Sequence, residues 1–404
     1  MLCRLKRLVI KRIMAFEAPL QALVPVCRPA SPMNQDIESK TDRIGGLRPR
    51  VKVFDFFSGC GGASQGFQDA GMDIVFGLDF AADARQSFMR NFPSAEFVFE
   101  DIRKVDENDV QSLVERQRPS PILFCGCAPC QPFTKQNTFR PAHDEDDRVP
   151  LLTEFLRFIE RCKPDIVFVE NVPGIQNVAA NSEPFGGFLR GLKEAGYCDP
   201  PACASVSLRR YGVPQRRRRL LLLASRHGEI DLPPKSHGPG TASPAYTTVR
   251  DCIGDLPEIK ASETDLVVPN HQAAGLSPLN LQRIRATPEG GGNRDWPEHL
   301  RLPCHRKSEG YSDVYGRMFW DKPASGLTTR CISYSNGRFG HPSQNRAISV
   351  REAVCLQTFP MEFRFSGSLN SMARQIGNAV PVRVTSAVGR HVAKHLAEAN
   401  PGCR

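Results

Sequence analysis

Two short segments hold the residues with the most evident chemistry. In Phe124-Cys125-Gly126-Cys127-Ala128-Pro129-Cys130-Gln131-Pro132-Phe133-Thr134 three thiols fall close together, and prolines flank the last of them. Cys125 and Cys127 close an apolar run and suit buried, inert cysteines. Cys130 sits on a proline-stiffened loop and is the candidate nucleophile. The three sulfurs are near enough in sequence to share an ion, but no second Cys or His pair is spaced to complete a structural zinc site, so no metal is assigned.

The other segment, Asp55-Phe56-Phe57-Ser58-Gly59-Cys60-Gly61-Gly62, stands where an apolar run gives way to a helix-like pattern. Glycines there let backbone approach a ligand closely. A dinucleotide fingerprint would need a further glycine at the position held by Ser64, so a pyrophosphate is not favoured. Asp79 ends the next apolar run and is placed to accept from ribose hydroxyls; Asp101 ends the third and is placed to hold an adenine amino group. Together these run ends describe a pocket for an adenosine-bearing ligand without phosphates, for which S-adenosyl-L-methionine is the natural candidate. Tight turns and helix caps alone would use the same residue types.

Positioning such residues requires a sheet edge. The runs VKVFDFF, DIVFGLD, AEFVFED, PILFCGC, DIVFVEN and RLLLLAS, separated by helix-like segments, read as buried strands. Their alternation predicts an α/β fold with a mostly parallel central sheet covered by helices on both faces, and ligands at the carboxyl ends of the strands. PPKSHGPGTASP, from Pro233 to Pro244, has no apolar period and marks a boundary. The next hundred or so residues are irregular and contain Gly290-Gly291-Gly292, both tryptophans (Trp296 and Trp320) and the basic residues Arg283, Arg285, Arg294, Arg301, Arg306 and Lys307. Helical patterning returns at Ile348, and VRVTSAVGRHVAKHLAEA is expected to form a terminal helix packing back on the first lobe.

With 404 residues, 40% hydrophobic and 24% charged, the composition is that of a globular protein and excludes collagen, coiled coil and wholesale disorder. Lys and Arg number 53 against 43 Asp and Glu, a net charge of +10 that favours an acidic partner, of which a phosphate backbone is the commonest. The 14 cysteines are scattered without regular spacing, as in a reducing intracellular compartment. No apolar run approaches the roughly 20 residues of a membrane span. At the start, Arg4, Lys6, Arg7, Lys11 and Arg12 interrupt every hydrophobic stretch, so residues 1–50 read as a flexible basic extension and not a signal peptide.

The chain resembles the cytosine-C5 DNA methyltransferase family in a series of ordered blocks. DFFSGCGG resembles its cofactor motif, GCAPCQPFT its nucleophile motif, Glu170-Asn171-Val172 its carboxylate motif and Gln215-Arg216-Arg217-Arg218-Arg219 its Q-x-R-x-R motif. Arg351-Glu352 with Leu356-Gln357-Thr358-Phe359-Pro360, then Gln375-Ile376-Gly377-Asn378-Ala379-Val380-Pro381, resemble the last two blocks. The resemblance implies a Rossmann-like S-adenosyl-L-methionine-dependent methyltransferase fold and methylation of cytosine C5 in a specific sequence of double-stranded DNA. The target base would be flipped from the duplex. Cys130 would add at cytosine C6, Glu170 would assist at ring nitrogen 3, Arg219 would bind the cytosine carbonyl, and Arg217 with Arg219 would order Cys130 and the target phosphate. Arg216 and Arg218 are extra positive charge.

For S-adenosyl-L-methionine the resemblance implies contacts from Phe57, Ser58, Gly59, Cys60 and Gly61, from Asp79 and Phe80, from Asp101 and Ile102, from Pro129, and from Asn378, Ala379 and Val380. It divides the chain into an extension (1–50), a catalytic and cofactor-binding domain (51–232), a smaller target-recognition domain (233–346) and a C-terminal segment returning to the catalytic domain (347–404). The loop Gln131 to Asp147 would be a mobile cover. In WDKPASGLTTR, Gly326 stands where the family often has threonine. The expected setting is cytoplasmic and nucleoid-associated, without membrane, as a monomer, with a cognate restriction endonuclease acting separately. An RNA (tRNA) methyltransferase on the same scaffold is the alternative. A nicotinamide oxidoreductase would have no use for Cys130, Glu170 and the arginine run together, and a silent DNA-binding module would need a damaged site.

Overall fold

The computed structural model describes residues 50–128, 151–173, 183–303 and 313–399. Within them run nine strands: β1 (Lys52–Phe56), β2 (Asp73–Leu78), β3 (Glu96–Val98), β4 (Ile122–Gly126), β5 (Ile166–Asn171), β6 (Ala202–Ser207), β7 (Gln215–Arg216), β8 (Arg218–Ser225) and β9 (Ala324–Ser325). Seven form one sheet in the order β3-β2-β1-β4-β5-β8-β6, and β7 pairs with β9 apart from it. The pairings from β3 through β5 are all parallel, whereas β8 runs antiparallel to both neighbours. The mostly parallel α/β sheet expected from the apolar runs is thus present.

Burial on both faces explains why these strands read as continuous apolar runs. Successive side chains alternate: Val53, Leu123, Cys125, Ile166, Phe168, Leu221 and Leu223 enter one core cluster. Phe54, Phe56, Phe124, Val167, Val169, Leu220 and Leu222 enter the other. On the second face a phenylalanine stack forms, with Phe56 ring centres 5.0 Å from Phe124 and 5.1 Å from Phe155. The first face is covered by the helix Gly62–Asp69 and by Val382–Ala399. These two helices approach so closely that a Cβ at Gly66 would lie 2.1 Å from Thr385 Oγ1, which leaves no room for a side chain. The chain's last block is in this way brought to the glycine loop that follows β1.

The described residues between 233 and 346 contain little regular structure beyond the helix Pro278–Arg285 and several single turns. A small core of Ile284, Trp296, Leu300, Tyr334 and Ala347 holds them. Buried guanidinium groups supply much of the remaining order. Arg317 donates to the carbonyls of Thr287, Ile284 and His341 and to Asn345 Oδ1. Arg283 is 6% exposed, donates to the Leu300 carbonyl and lies 5.1 Å from the centre of the Trp296 ring. Arg283, one of the basic residues of this segment, is therefore spent inside it. Among the described residues no helix is long and apolar enough to cross a membrane.

Candidate active site

The carboxyl ends of β1, β2, β4 and β5 and the start of β8 share one edge of the sheet. At that edge Glu170 on β5 pairs in register with Leu221 on β8, two residues from Arg219. The Nε of Arg219 lies 2.9 Å from Glu170 Oε1, with the two side chains 19% and 10% exposed. The N–H direction misses that oxygen, so Glu170 Oε1 is buried without a hydrogen-bond donor among the described residues. Beside it, Asn171 Oδ1 accepts from the Val172 N–H while Asn171 Nδ2 has no partner among the described residues. A carboxylate oxygen and an amide donor left unsatisfied at a buried strand end form a polar recess suited to a planar, hydrogen-bonding ligand.

The arginine run alternates as an extended chain must. Arg216 and Arg218 are exposed, while Arg217 and Arg219 turn inward. Arg217 is buried and donates from Nη1 to the carbonyls of Leu327 at 3.2 Å and Gly377 at 3.1 Å. Burial and the neighbouring Arg219 charge pull its pKa down to about 9, which still leaves it charged at neutral pH. Its place is a pin between three distant segments.

Gln215 extends that pin. Its Nε2 donates to the Leu356 carbonyl at 3.0 Å and to Gln357 Oε1 at 2.6 Å, and its Oε1 accepts from the Leu327 N–H. Gln357 Nε2 in turn donates to the carbonyls of Ile376 and Ala379. Buried amides thus connect the arginine strand to the segment beside the glycine loop. Site reasoning from sequence passed over both glutamines; the signal available was, for Gln357, an amide inside the otherwise largely apolar Val354 to Phe359.

The glycine loop itself is strained in a way that opens space. Phe57 has φ +58° and Gly59 φ +54°, both left-handed. A Cβ at Gly59 would meet no atom within 4 Å, so the loop faces open space there. Asp79 lies behind it, its Oδ2 accepting from the Gly59 N–H and Oδ1 from the Ala81 N–H, both at 2.8 Å. Burial raises its pKa above the usual carboxylate value, against the pull of the N–H groups of Ala81, Gly59 and Phe80. Each oxygen keeps a lone pair, the acceptor set a ribose diol requires. Phe80 is 64% exposed beside it. Across the loop, a Cβ at Gly62 would fall 2.6 Å from the Val380 carbonyl oxygen and 3.0 Å from Ala379 Cβ. The residues present therefore fit an adenosyl group.

A Gly62→Ala protein should accordingly displace Ala379 and Val380. It is expected to lose about 1–3 kcal/mol of stability from overpacking. It should also bind S-adenosylhomocysteine at least tenfold more weakly by calorimetry; unchanged binding would separate Ala379 and Val380 from the pocket.

Other expected contacts take more specific places. Cys60 is buried, its thiol 3.8 Å from the Gln375 carbonyl and pushed up to about 12 by burial, so it is inert. Ser58 is buried with its N–H on the Leu78 carbonyl, and Gly61 bonds back to Ser58. Asp101 caps the turn Ile102–Lys104, and its carboxylate is gripped by Arg103, with Nη2 at 2.6 Å; an adenine amino group would share it. Ile102 is buried below. Ser64, which breaks the dinucleotide fingerprint, donates at 2.6 Å to Asp55, whose carboxyl burial pushes up to about 7. Asn378 ends the helix Leu369–Asn378, just before Ala379. Pro129, Cys130 and the loop Gln131 to Asp147 lie outside the described residues.

A family model described as C-5 cytosine-specific DNA methylase matches residues 51–394. The Type II methylase M.HgiDII of Herpetosiphon aurantiacus is 39% identical over 353 residues, covering 85% of this chain and 94% of the relative. The Type II methyltransferase M.NgoFVII of Neisseria gonorrhoeae is 31% identical over 340 residues, covering 82% and 83%. Among solved structures, a prophage-encoded protein of E. coli described as a DNA modification methyltransferase superposes with a TM-score of 0.64 at 21% identity, covering 86% of this chain and 99% of that one. The S. pombe Dnmt2 methyltransferase superposes at 0.55 with 18% identity and the same coverage.

Proposed function

The chain belongs to the C-5 cytosine-specific DNA methylase family and is a DNA (cytosine-5-)-methyltransferase that uses S-adenosyl-L-methionine, and we propose that it acts on one specific duplex sequence through base flipping and a covalent Cys130 adduct. The observation that carries this reading is the Glu170–Arg219 pair at 2.9 Å, with a buried carboxylate oxygen lacking a donor, on the same sheet edge as the adenosyl pocket.

Carbon 5 of cytosine is a weak nucleophile, and a base within a stacked duplex cannot reach a recess of this kind. Once the base is extruded, the Cys130 thiolate adds at carbon 6 and pushes electrons to carbon 5. Glu170 exchanges a proton or hydrogen bond with ring nitrogen 3, and Arg219, held beside it, meets the cytosine carbonyl. Bound S-adenosyl-L-methionine supplies an electrophilic methyl group. Loss of the carbon 5 proton then lets Cys130 leave. Asp79 and the loop from Phe57 to Gly61 hold the adenosyl group, with Ala379 and Val380 closing it. Arg217, buried on carbonyls, aligns the strand that carries Arg219. Residues 51–232 and the returning segment 347–404 form the catalytic domain, and 233–346 read the target. The Type II names of the relatives support a protective role beside a separately acting restriction endonuclease.

The test is methyl transfer from labelled S-adenosyl-L-methionine to unmethylated duplex DNA and to tRNA, with base-resolution mapping. A duplex carrying 5-fluorocytosine at the mapped target then follows, because fluorine cannot leave as the proton does and the adduct accumulates. Label at carbon 5 within one sequence context, and a trapped peptide containing Cys130, are expected. Label on tRNA alone would overturn the substrate, and an adduct on another residue would overturn the nucleophile.

A further inference from the structure

Apart from the catalytic recess, a cleft of about 180 Å³ opens between the arginine run and the recognition segment, lined among others by Arg216, Gly290, Asp313, Phe319, Ser325 and Arg338. It exists because β7 and β9 pair in parallel with Arg216 opposite Ser325, which places a guanidinium and a hydroxyl at one wall. The opposite wall is fixed. Arg338 donates to the carbonyls of Gly290, Gly291 and Arg317 and contacts Asp313 Oδ1 at 3.0 Å, so its donors are committed to holding the glycine loop. Lys322 Nζ lies 3.9 Å from the centre of the Phe319 ring and adds a second cation at the rim. Arg216 differs from all of these: it is exposed and its guanidinium makes no hydrogen bond or ion pair among the described residues.

The chemistry of the free lining selects the ligand. Arg216 offers donors only, and the Ser325 hydroxyl can donate beside it; positive charge from Arg216, Arg338 and Lys322 outweighs Asp313. An adenine or cytosine edge needs a matching free acceptor, but a guanine edge with its O6 and N7 does not. A phosphate oxygen, which accepts from every side and with the sugar takes half or more of protein–DNA hydrogen bonds, is the commoner partner of a donor-only lining. Position points the same way. Arg216 on β7 precedes Arg219 on β8 by three residues, at most about 10 Å of chain at roughly 3.3 Å per residue, so the cleft lies within a short reach of the base recess.

We infer that this cleft, through Arg216 and Ser325, binds a DNA phosphodiester close to the extruded cytosine. The inference rests on the reading of the chain as a duplex-DNA methyltransferase. Arg216 positions the DNA strand and reads no base, so its loss weakens every duplex alike.

The test measures duplex binding by fluorescence anisotropy with S-adenosylhomocysteine present, for the full chain and its Arg216→Gln and Ser325→Ala variants. A series of duplexes carries one neutral methylphosphonate at each position around the target. For Arg216→Gln the expected result is about tenfold weaker binding to cognate and unrelated duplex at 0.15 M salt, and a log–log salt slope shallower by about 0.9. One methylphosphonate position should cost the wild type about tenfold and the variant nothing, with Ser325→Ala losing less at the same position. Because Arg216 is exposed, thermal unfolding should be unchanged. A variant that responds to each methylphosphonate as the wild type does, or whose mapped methylation context changes, overturns the inference while leaving the methyltransferase reading intact. Failure of the wild type to bind or methylate any duplex overturns both.

Discussion

Methyl transfer by a Glu170→Gln protein should fall by two to four orders of magnitude in kcat, the range set by a positioned acid–base group, while S-adenosylhomocysteine binds as in the wild type. The substitution keeps the shape of the side chain and removes its negative charge and its ability to carry a proton. Glu170 is 8% exposed and lies on β5, flanked on both sides by paired strands, so the backbone that aims it does not depend on the carboxylate. Its neighbour Arg219 loses an ion pair but keeps a bond from Nη1 to the Arg218 carbonyl. The adenosyl pocket contacts Asp79 and the glycine loop and not Glu170, which is why cofactor affinity is the control. Trapping by 5-fluorocytosine duplex should slow in parallel with kcat, since both need addition at carbon 6. A variant that traps at the wild-type rate yet methylates slowly would move Glu170 to a later step, and one with normal kcat would remove it from the chemistry.

The residues that sequence reasoning located are those whose position follows from a strand end. β1, β2 and β5 are mostly apolar because both faces are covered, and Ser58, Asp79 and Glu170 stand at or just past their carboxyl ends on one edge. β6 escaped because it is an outer strand with Cys203 and Ala204 exposed and no apolar alternation to betray it. β7 and β9 are two residues each, too short for any period, although they shape the cleft beside Arg216.

Long-range polar contacts were illegible for a different reason. Gln215 and Gln357 are 142 positions apart, and nothing local to either says that they meet. Sequence also cannot separate a solvated arginine from a buried one: within the single run, Arg216 and Arg218 face out while Arg217 is pinned on two carbonyls. The same holds between residues 233 and 346, where Arg283 and Arg317 donate to loop carbonyls and order them.

Glu352→Ala should be among the most destabilising single changes in the chain, costing about 3–5 kcal/mol in chemical denaturation. Glu352 begins the helix Val350–Leu356, where it completes a capping box with Ser349. Its two oxygens are also held by Arg346, each at 2.7 Å, and both side chains are essentially inaccessible to solvent at 0% and 1% exposure. Arg346 reaches on to the carbonyls of Ile259 and Ala347, so the pair fastens the recognition segment to the returning one. Removing the carboxylate strands a buried guanidinium, and the cost is the uncompensated charge as well as the lost bonds. A loss near 1 kcal/mol, the size of an ordinary hydrogen bond, would mean that the carbonyls alone satisfy Arg346. The acid limb gives a second readout. Burial alone would raise the Glu352 carboxyl, but Arg346, His341 and the Ser349 N–H hold it below its ordinary 4.5, so its contribution is complete above that value and is lost as pH falls through the lower folded one. His341, 3.6 Å away, is pushed down by burial from 6.5 to about 4; the unfolded chain therefore binds the proton first, and stability declines as pH drops across that interval. In the variant the decline below 4.5 should flatten, while that between 6.5 and 4 persists through His341.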